Sequence, residues 1–238
     1  MPNFRTMADR YVPPVAGKDL EQSLNYTDAR GIPLRWFYES FTYPAVFYKK
    51  GSRPRLEKFL ARNKVTGKPG LATLEKCVSA LVRQMPHYVQ LDYEGAGNRG
   101  ASEEELLFSG HGWCNEQARV LVALTQVLRM PSRLVFGSMR IKKGHVVMEV
   151  FVDGKWVLVD QTANFVFKRK NGKPVNVLDI KTDKLVAAEM NRLYQAALDK
   201  GRAAAVRPDL WDKYVPWGFS GQPCELFWQV GYCNYFIH

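Results

Sequence analysis

The sequence predicts an α+β fold in which a helix that begins at a cysteine packs on an antiparallel sheet. Apolar residues at helical spacing follow Ala72, and a second helical run follows Cys114. Between residues 145 and 160, two apolar runs flank Asp153-Gly154, a strong signal for a two-residue hairpin turn. Of the 238 residues, 46% are hydrophobic and 24% are charged, and this ordinary globular composition excludes the disordered and fibrous classes.

The predicted elements follow in order along the chain. They are a helix over 72–85 that Pro86 stops, a short helix opened by a capping box at Ser102, a helix over 114–128, a strand over 133–137, a hairpin over 145–160 and an amphipathic helix over 184–205. We expect three regions: an N-terminal extension over 1–70, a core over 71–166, and a helical and aromatic C-terminal extension over 167–238 that packs on the core.

Charge and hydropathy limit the classes of partner and the compartment. The chain has 34 Lys and Arg against 23 Asp and Glu, and this net charge of +11 favours acidic partners. The basic residues between 49 and 68 predict a solvated face, because no nucleic-acid motif accompanies them. No apolar run reaches the ~18–20 residues of a membrane span, and the N-terminus lacks a signal-peptide core. We therefore predict a cytoplasmic protein and do not expect nucleic acid as its partner, although a nucleic-acid-binding protein is one alternative that the charge leaves open.

Among the four cysteines, Cys114 has the most informative setting. No two cysteines form a C-x-x-C pair, so we predict neither a metal site nor a cofactor, and Cys77, Cys224 and Cys233 are interpreted as buried apolar residues. Cys114 follows two glycines and begins a helix, whose dipole favours a thiolate and whose free N–H groups can receive an oxyanion. The alternative is a small buried cysteine at a helix start.

The hairpin provides a histidine and a carboxylate for this cysteine. With Asp153 and Gly154 as the loop, Val152 pairs with Lys155, and the numbers of any two paired residues sum to 307. His145 and Asp160 then share one face as diagonal neighbours, ~7–8 Å apart at the backbone. Glu149 is on the same face but ~13 Å along the strand at ~3.3 Å per residue, too far to orient His145. The hairpin thus favours His145–Asp160 as a pair.

Three motifs resemble the transglutaminase-like superfamily in order and spacing over about residues 72–165. They are Gly112-Trp-Cys-Asn-Glu-Gln-Ala118, Met130-Pro-Ser-Arg-Leu-Val-Phe-Gly137, and the stretch from Gly144 through the D-G-x-W turn to Thr162. The resemblance implies a papain-like fold and a triad of Cys114 as nucleophile, His145 as general base and acid, and Asp160 as orienting acid. It assigns Arg133 a structural role. Val147 and Gln161 replace an aromatic and a proline that the family often has, and we expect both to alter the wall of the cleft.

The resemblance implies a cysteine enzyme acting on amide bonds of a protein or peptide through a Cys114 thioester. Hydrolysis, as a protease, amidase or deamidase, is the activity that we predict. Alternatives are a true protein-glutamine transglutaminase and a catalytically silent peptide-binding module. Trp113 and His111 are candidate substrate-binding residues beside Cys114; the N–H of Cys114 is one oxyanion donor, and the second is open between Tyr88 and His111.

Overall fold

A computed structural model describes residues 46–88, 101–138, 144–206, 209 and 229–234. The helices are α1 (Pro54–Arg62), α2 (Leu71–Gln84), α3 (Glu103–Ser109), α4 (Cys114–Val127), α5 (Val177–Thr182) and α6 (Lys184–Ala203). The strands are β1 (Ser132–Ser138), β2 (Gly144–Val152), β3 (Lys155–Asp160), β4 (Phe165–Val166) and β5 (Gln229–Asn234). Residues 1–45 of the predicted N-terminal extension, Cys224, and residues 211–228 of the aromatic C-terminal segment lie outside the described residues.

The strands form an antiparallel sheet in the order β4-β3-β2-β1-β5. The central hairpin pairs Met148 with Val159 and Val152 with Lys155, which is the predicted register. Asp153 and Gly154 have φ angles of 50° and 78°, as a type I′ turn requires. Because side chains alternate along a strand, this register decides which residues of β2 and β3 face each side of the sheet.

Helix α4 lies under one face of this sheet and is buried on all sides. Ala118, Leu121 and Leu124, predicted to form its apolar face, are fully buried, and so is Gln126 on the other side. The core here also takes Met148 and Val150 from β2 and residues of α1, α2 and α3. A helix enclosed in this way cannot shift its first turn without disturbing the core.

The opposite face of the sheet is covered by α5 and α6. Val147 of β2 and Leu158 of β3 pack in one cluster with Met190, Tyr194 and Leu198 of α6. These three α6 residues recur every fourth position, so they lie on one side of the helix. The sheet is therefore a central layer between two sets of helices.

The basic residues of 49–68 lie on a solvated face, as the sequence predicted, and helix α1 also has a buried side. Leu56, Phe59 and Leu60 are buried in the core, at helical spacing. Arg55, Lys58 and Arg62 are exposed on the other side of the same helix. The number of basic residues alone did not indicate that this helix is amphipathic.

Within the part of the chain that the structure describes, no helix is both long and apolar enough to cross a membrane.

Candidate active site

Cys114 is the first residue of α4, and close backbone contacts hold the loop before it. The N–H of Gly112 donates to the carbonyl oxygen of Pro86 at 3.2 Å, and the N–H of Tyr88 donates to the carbonyl oxygen of Gly112 at 3.2 Å. A Cβ atom at Gly112 would lie 2.2 Å from Cε of Met85, so a larger residue there would force a displacement. Gly112 thus sets how closely the start of α4 approaches the segment after α2.

Two side chains of the first turn fix the helix start further. The Oε2 atom of Glu116 accepts a hydrogen bond from the N–H of Trp113 at 2.9 Å, and Gln117 Nε2 donates to the carbonyl oxygen of Met85 at 2.8 Å. The N–H groups of a helix's first turn have no carbonyl partner within the helix. Since Glu116 takes the N–H of Trp113, the N–H of Cys114 is the donor best placed beside the sulfur.

His145 and Asp160 contact each other across the open end of the hairpin. His145 Nε2 lies 2.8 Å from Asp160 Oδ2, although the paired ladder itself ends at Met148 and Val159. The diagonal relationship expected from the register therefore places the two side chains in direct contact. The rival carboxylate, Glu149, instead accepts hydrogen bonds from Arg133 and from the N–H of Val177.

Cys114, His145 and Asp160 form a row of three interacting side chains, called the row below. The thiol is half-buried and makes a hydrogen bond with the His145 ring, and the backbone of Val146 provides another. Because Nε2 of the ring faces Asp160, Nδ1 is the nitrogen left for the sulfur. The sulfur, the imidazole and the carboxylate thus lie in series, from α4, β2 and the end of β3.

The row favours charged forms of its members. Burial alone would raise the pKa of the Cys114 thiol, but its hydrogen bond to His145 and the charge of that ring outweigh burial and lower the pKa. Burial also opposes the charge on His145, yet Asp160 raises the pKa of that imidazole well above its usual 6.5. Burial would raise the pKa of Asp160, but the His145 charge and hydrogen bonds lower it. The arrangement stabilises a thiolate–imidazolium pair over a neutral pair.

Four hydrogen bonds from described residues hold Asp160. Its Oδ1 atom accepts from the N–H groups of Thr162 at 2.9 Å and Ala163 at 3.3 Å. Its Oδ2 atom accepts from Tyr194 Oη at 2.5 Å in addition to its contact with His145. Since Asp160 is 1% exposed, these donors replace the water that would otherwise solvate the carboxylate.

The aromatic residues predicted beside the cysteine lie next to it. Trp113 is half-buried, with its ring 5.2 Å from that of Tyr88 and 5.2 Å, edge-on, from that of His87. The ring of His111 lies 4.7 Å from that of Tyr88. Trp113, His111 and Tyr88 therefore form one aromatic group around the loop that precedes Cys114.

His87 is a site residue that no sequence pattern identifies. It is 3% exposed, and burial lowers the pKa of its imidazole to about 3, with the charge of His145 adding to this effect and Asp160 opposing it. His87 is therefore neutral beside the row. Its sequence neighbours carry no motif, and only the parallel bridge between His87 and Gly112 places it here.

The two departures from the family pattern have different outcomes. Val147 is 1% exposed and packs between the sheet and α6. Gln161 is buried, and its Nε2 atom donates to the carbonyl oxygens of Cys114 and Val146, each at 2.9 Å. Gln161 therefore ties the start of α4 to β2, a contact that a proline cannot make.

In the described ranges, no group of three or more His, Cys, Asp or Glu side chains is arranged to hold a metal ion.

Comparison with known families decides the class. Residues 58–161 match the family model of the transglutaminase-like superfamily, and the match includes Cys114, His145 and Asp160. Within residues 58–161, the chain is therefore transglutaminase-like. This match confirms the resemblance and the α+β fold that the sequence predicted.

Three solved structures resemble this transglutaminase-like chain at low identity. A TGase is 13% identical with a TM-score of 0.40, covering 59% of this chain and 39% of that chain. A candidate cysteine protease from Cytophaga hutchinsonii is 17% identical with a TM-score of 0.41, covering 65% of this chain and 50% of that one. Rad4–Rad23 bound to a 6-4 photoproduct UV lesion is 13% identical with a TM-score of 0.26, covering 89% and 52%. The chain thus spans about half or less of the length of each, and no curated protein matches it.

Proposed function

We propose that this protein hydrolyses amide bonds of protein or peptide substrates through a thioester on Cys114. The observation that carries the proposal is the position of His145, in contact with the Cys114 thiol on one side and 2.8 Å from Asp160 on the other. A thiol activated by an imidazole that a carboxylate orients is the arrangement that nucleophilic acyl transfer requires.

In the first half of the reaction, the Cys114 thiolate attacks the carbonyl carbon and a C–S bond forms. The N–H of Cys114, at the start of α4, is the donor that we assign to the oxyanion. His145 then gives its proton to the leaving nitrogen as the C–N bond breaks. The products are an amine, or ammonia from a glutamine side chain, and a thioester on Cys114.

In the second half, water attacks the thioester. His145 takes a proton from that water as the C–O bond forms, and the C–S bond breaks to release a carboxylic acid and restore the thiolate–imidazolium pair. Asp160 holds the imidazole throughout and supports its positive charge. The net reaction consumes one water for each amide bond.

Water is favoured over an amine as the acceptor. A lysine amine is protonated near neutral pH and competes with ~55 M water unless the site desolvates it. Trp113 packs against His87 and Tyr88, and Trp156 packs on Phe151 and under Arg133. In the part of the chain that the structure describes, both indoles are thus engaged in packing contacts, which supports hydrolysis rather than a desolvated channel for lysine.

The test follows both fates of the acyl group at once. The protein is incubated with a glutamine-containing protein and an excess of a fluorescent primary amine, and ammonia release, new peptide termini and amine incorporation are measured. Hydrolysis predicts ammonia or new termini with little label, and Cys114→Ala abolishes them. Stoichiometric incorporation would make this a transglutaminase in activity, and the absence of turnover and of any thioester would leave a peptide-binding module.

A further inference from the structure

We infer that Tyr194 of α6 is a positioning residue for this site, acting through Asp160 from outside the 58–161 segment that defines the family. Its hydroxyl donates to Oδ2, the same oxygen that binds His145. This inference rests on the proposed function for its kinetic consequence, but not for its effect on His145.

The direction of the Tyr194 hydroxyl is fixed by packing. The ring is 1% exposed, lies stacked against Phe167 with centroids 5.4 Å apart, and meets the edge of Phe165 at 5.3 Å. Burial, together with the charge of Asp160, raises the pKa of the Tyr194 phenol well above 10, so the hydroxyl keeps its proton and acts as a donor. Tyr194 therefore gives a permanent hydrogen bond to the carboxylate.

Tyr194 and the backbone divide the work of holding Asp160. The N–H groups of Thr162 and Ala163 anchor Oδ1, and Tyr194 anchors Oδ2. Without the hydroxyl, the carboxylate would be anchored at one oxygen only, and the imidazole bound to the other would lose a fixed reference. The angular precision that acyl transfer needs depends on such supporting contacts.

Tyr194 also moderates how strongly Asp160 attracts the proton of His145. A carboxylate oxygen that accepts a second hydrogen bond shares its charge between two donors. Without the Tyr194 hydroxyl, the charge of this oxygen is directed at His145 alone. The imidazolium then becomes more stable and a weaker acid toward the leaving nitrogen. In the described part of the chain, the other titratable groups around this pair are Cys114 from α4 and His87 from the segment after α2, and His87 stays neutral in the working range.

The experiment compares Tyr194→Phe with Tyr48→Phe. The first variant removes only the hydroxyl and keeps the ring that packs on Phe167. The second is a matched control, because Tyr48 is also buried and also donates to a carboxylate, that of Glu57 in α1. Both residues are far from Asp160 in the sequence. Melting temperature and near-UV circular dichroism establish that both variants are folded.

Two readouts separate the inference from the proposed function. The titration of His145 is followed by NMR of the imidazole nitrogens, assigned with His145→Asn, and kcat and KM are measured against pH. For Tyr194→Phe we expect a higher pKa of His145, a basic limb of kcat displaced upward by the same amount, and kcat reduced about tenfold at unchanged KM, the loss typical of one hydrogen bond to a charged group. Tyr48→Phe should change none of these.

An unchanged His145 titration in Tyr194→Phe would overturn the inference, as would a wild-type kcat. If the unsubstituted protein itself shows no turnover on any amide substrate, the proposed function fails, and the NMR comparison alone still decides whether Tyr194 controls the Asp160–His145 pair.

Discussion

Arg133 donates two hydrogen bonds to the Oε2 atom of Glu149, from Nε at 2.9 Å and from Nη2 at 2.6 Å. The other oxygen, Oε1, accepts from the N–H of Val177 at 2.9 Å, and the guanidinium lies 4.1 Å above the Trp156 ring. Glu149 is 1% exposed, so this ion pair is enclosed in the sheet. The hairpin thus carries two buried carboxylates with separate partners, and of these two Asp160 is the one that contacts His145.

Asp160→Asn should therefore act on catalysis and Glu149→Gln on stability. Asp160→Asn keeps the shape of the side chain but loses the charge that holds His145, and we expect kcat to fall by up to about 10⁴, as in the best-studied triad. Glu149→Gln leaves the Arg133 charge buried without a counter-ion, which should lower the free energy of unfolding by on the order of 3 kcal/mol. Steady-state kinetics and urea denaturation of both variants measure the two effects. Equal losses of kcat would show that Glu149 also acts on His145.

Cys114 should react with iodoacetamide near neutral pH, and Cys77 should not. The pKa of the Cys114 thiol is lowered by His145, whereas burial raises the pKa of Cys77 to about 12. Cys77 is also fully inaccessible in the core. Peptide mass spectrometry after timed labelling gives the rate at each cysteine. Asp160→Asn should slow Cys114 specifically, and faster labelling of Cys77 or Cys233 than of Cys114 would contradict the assignment of the nucleophile.

His87 should make the folded state sensitive to mild acid. Its pKa is about 3 in the folded protein against 6.5 for the ordinary group, so between these values the unfolded chain binds a proton that the folded protein does not. Stability from this group is present above pH 6.5 and is lost as pH falls, at up to about 1.4 kcal/mol per pH unit. His145 does not contribute a slope below pH 6.5, because its pKa is raised. Urea denaturation at pH 7, 6 and 5 should show a smaller loss in His87→Gln than in the unsubstituted protein, and parallel losses would be inconsistent with a neutral buried His87.

Gln161→Met should reduce activity through the geometry of Cys114. Methionine has a similar volume but cannot donate to the carbonyl oxygens of Cys114 and Val146, so two half-buried acceptors each lose a hydrogen bond, at about 0.5–1.5 kcal/mol each. We expect lower stability and slower alkylation of Cys114.

Gln84→Met is the matched control for Gln161→Met. Gln84 Nε2 also donates to a carbonyl oxygen, that of Leu107 at 3.3 Å, but in α2 away from the row. Its loss should leave alkylation of Cys114 unchanged. The same alkylation rate in both variants would mean that Gln161 has no part in placing the thiol.

The sequence contained the local part of this site. The turn residues Asp153 and Gly154 determine the register, and the register places His145 beside Asp160. Glycines and helical spacing place Cys114 at the start of α4, within the accuracy of one residue. In both cases, the interactions that decide the structure lie between residues close in the chain, so a pattern of residue types was sufficient.

The remaining site residues depend on contacts between distant segments. Tyr194 has the spacing of a core residue on α6, and nothing in that spacing identifies the carboxylate that its hydroxyl meets. His87 reaches the site because the backbone after α2 pairs with Gly112. A side chain at Gly112 would collide with Met85, and this contact is apparent only from the folded structure. Amphipathic periodicity gives the face of a helix, but the partner of a single polar atom on that face follows from tertiary packing.

The residues that contact Asp160 are widely separated along the sequence, so the ribosome synthesises them at different times. Tyr194 follows Asp160 by 34 residues. Asp160 itself lies at the end of β3, and β1 and β2 come between α4 and β3. The segment that bears the Cys114 thiol is therefore translated well before its supporting groups. At about 5–20 residues per second, several seconds separate the synthesis of the cysteine from that of α6. Under the proposed function, the Cys114 thiol therefore gains His145 and Asp160 as partners only after β2 and β3 have been synthesised and have folded, and Tyr194 joins them last.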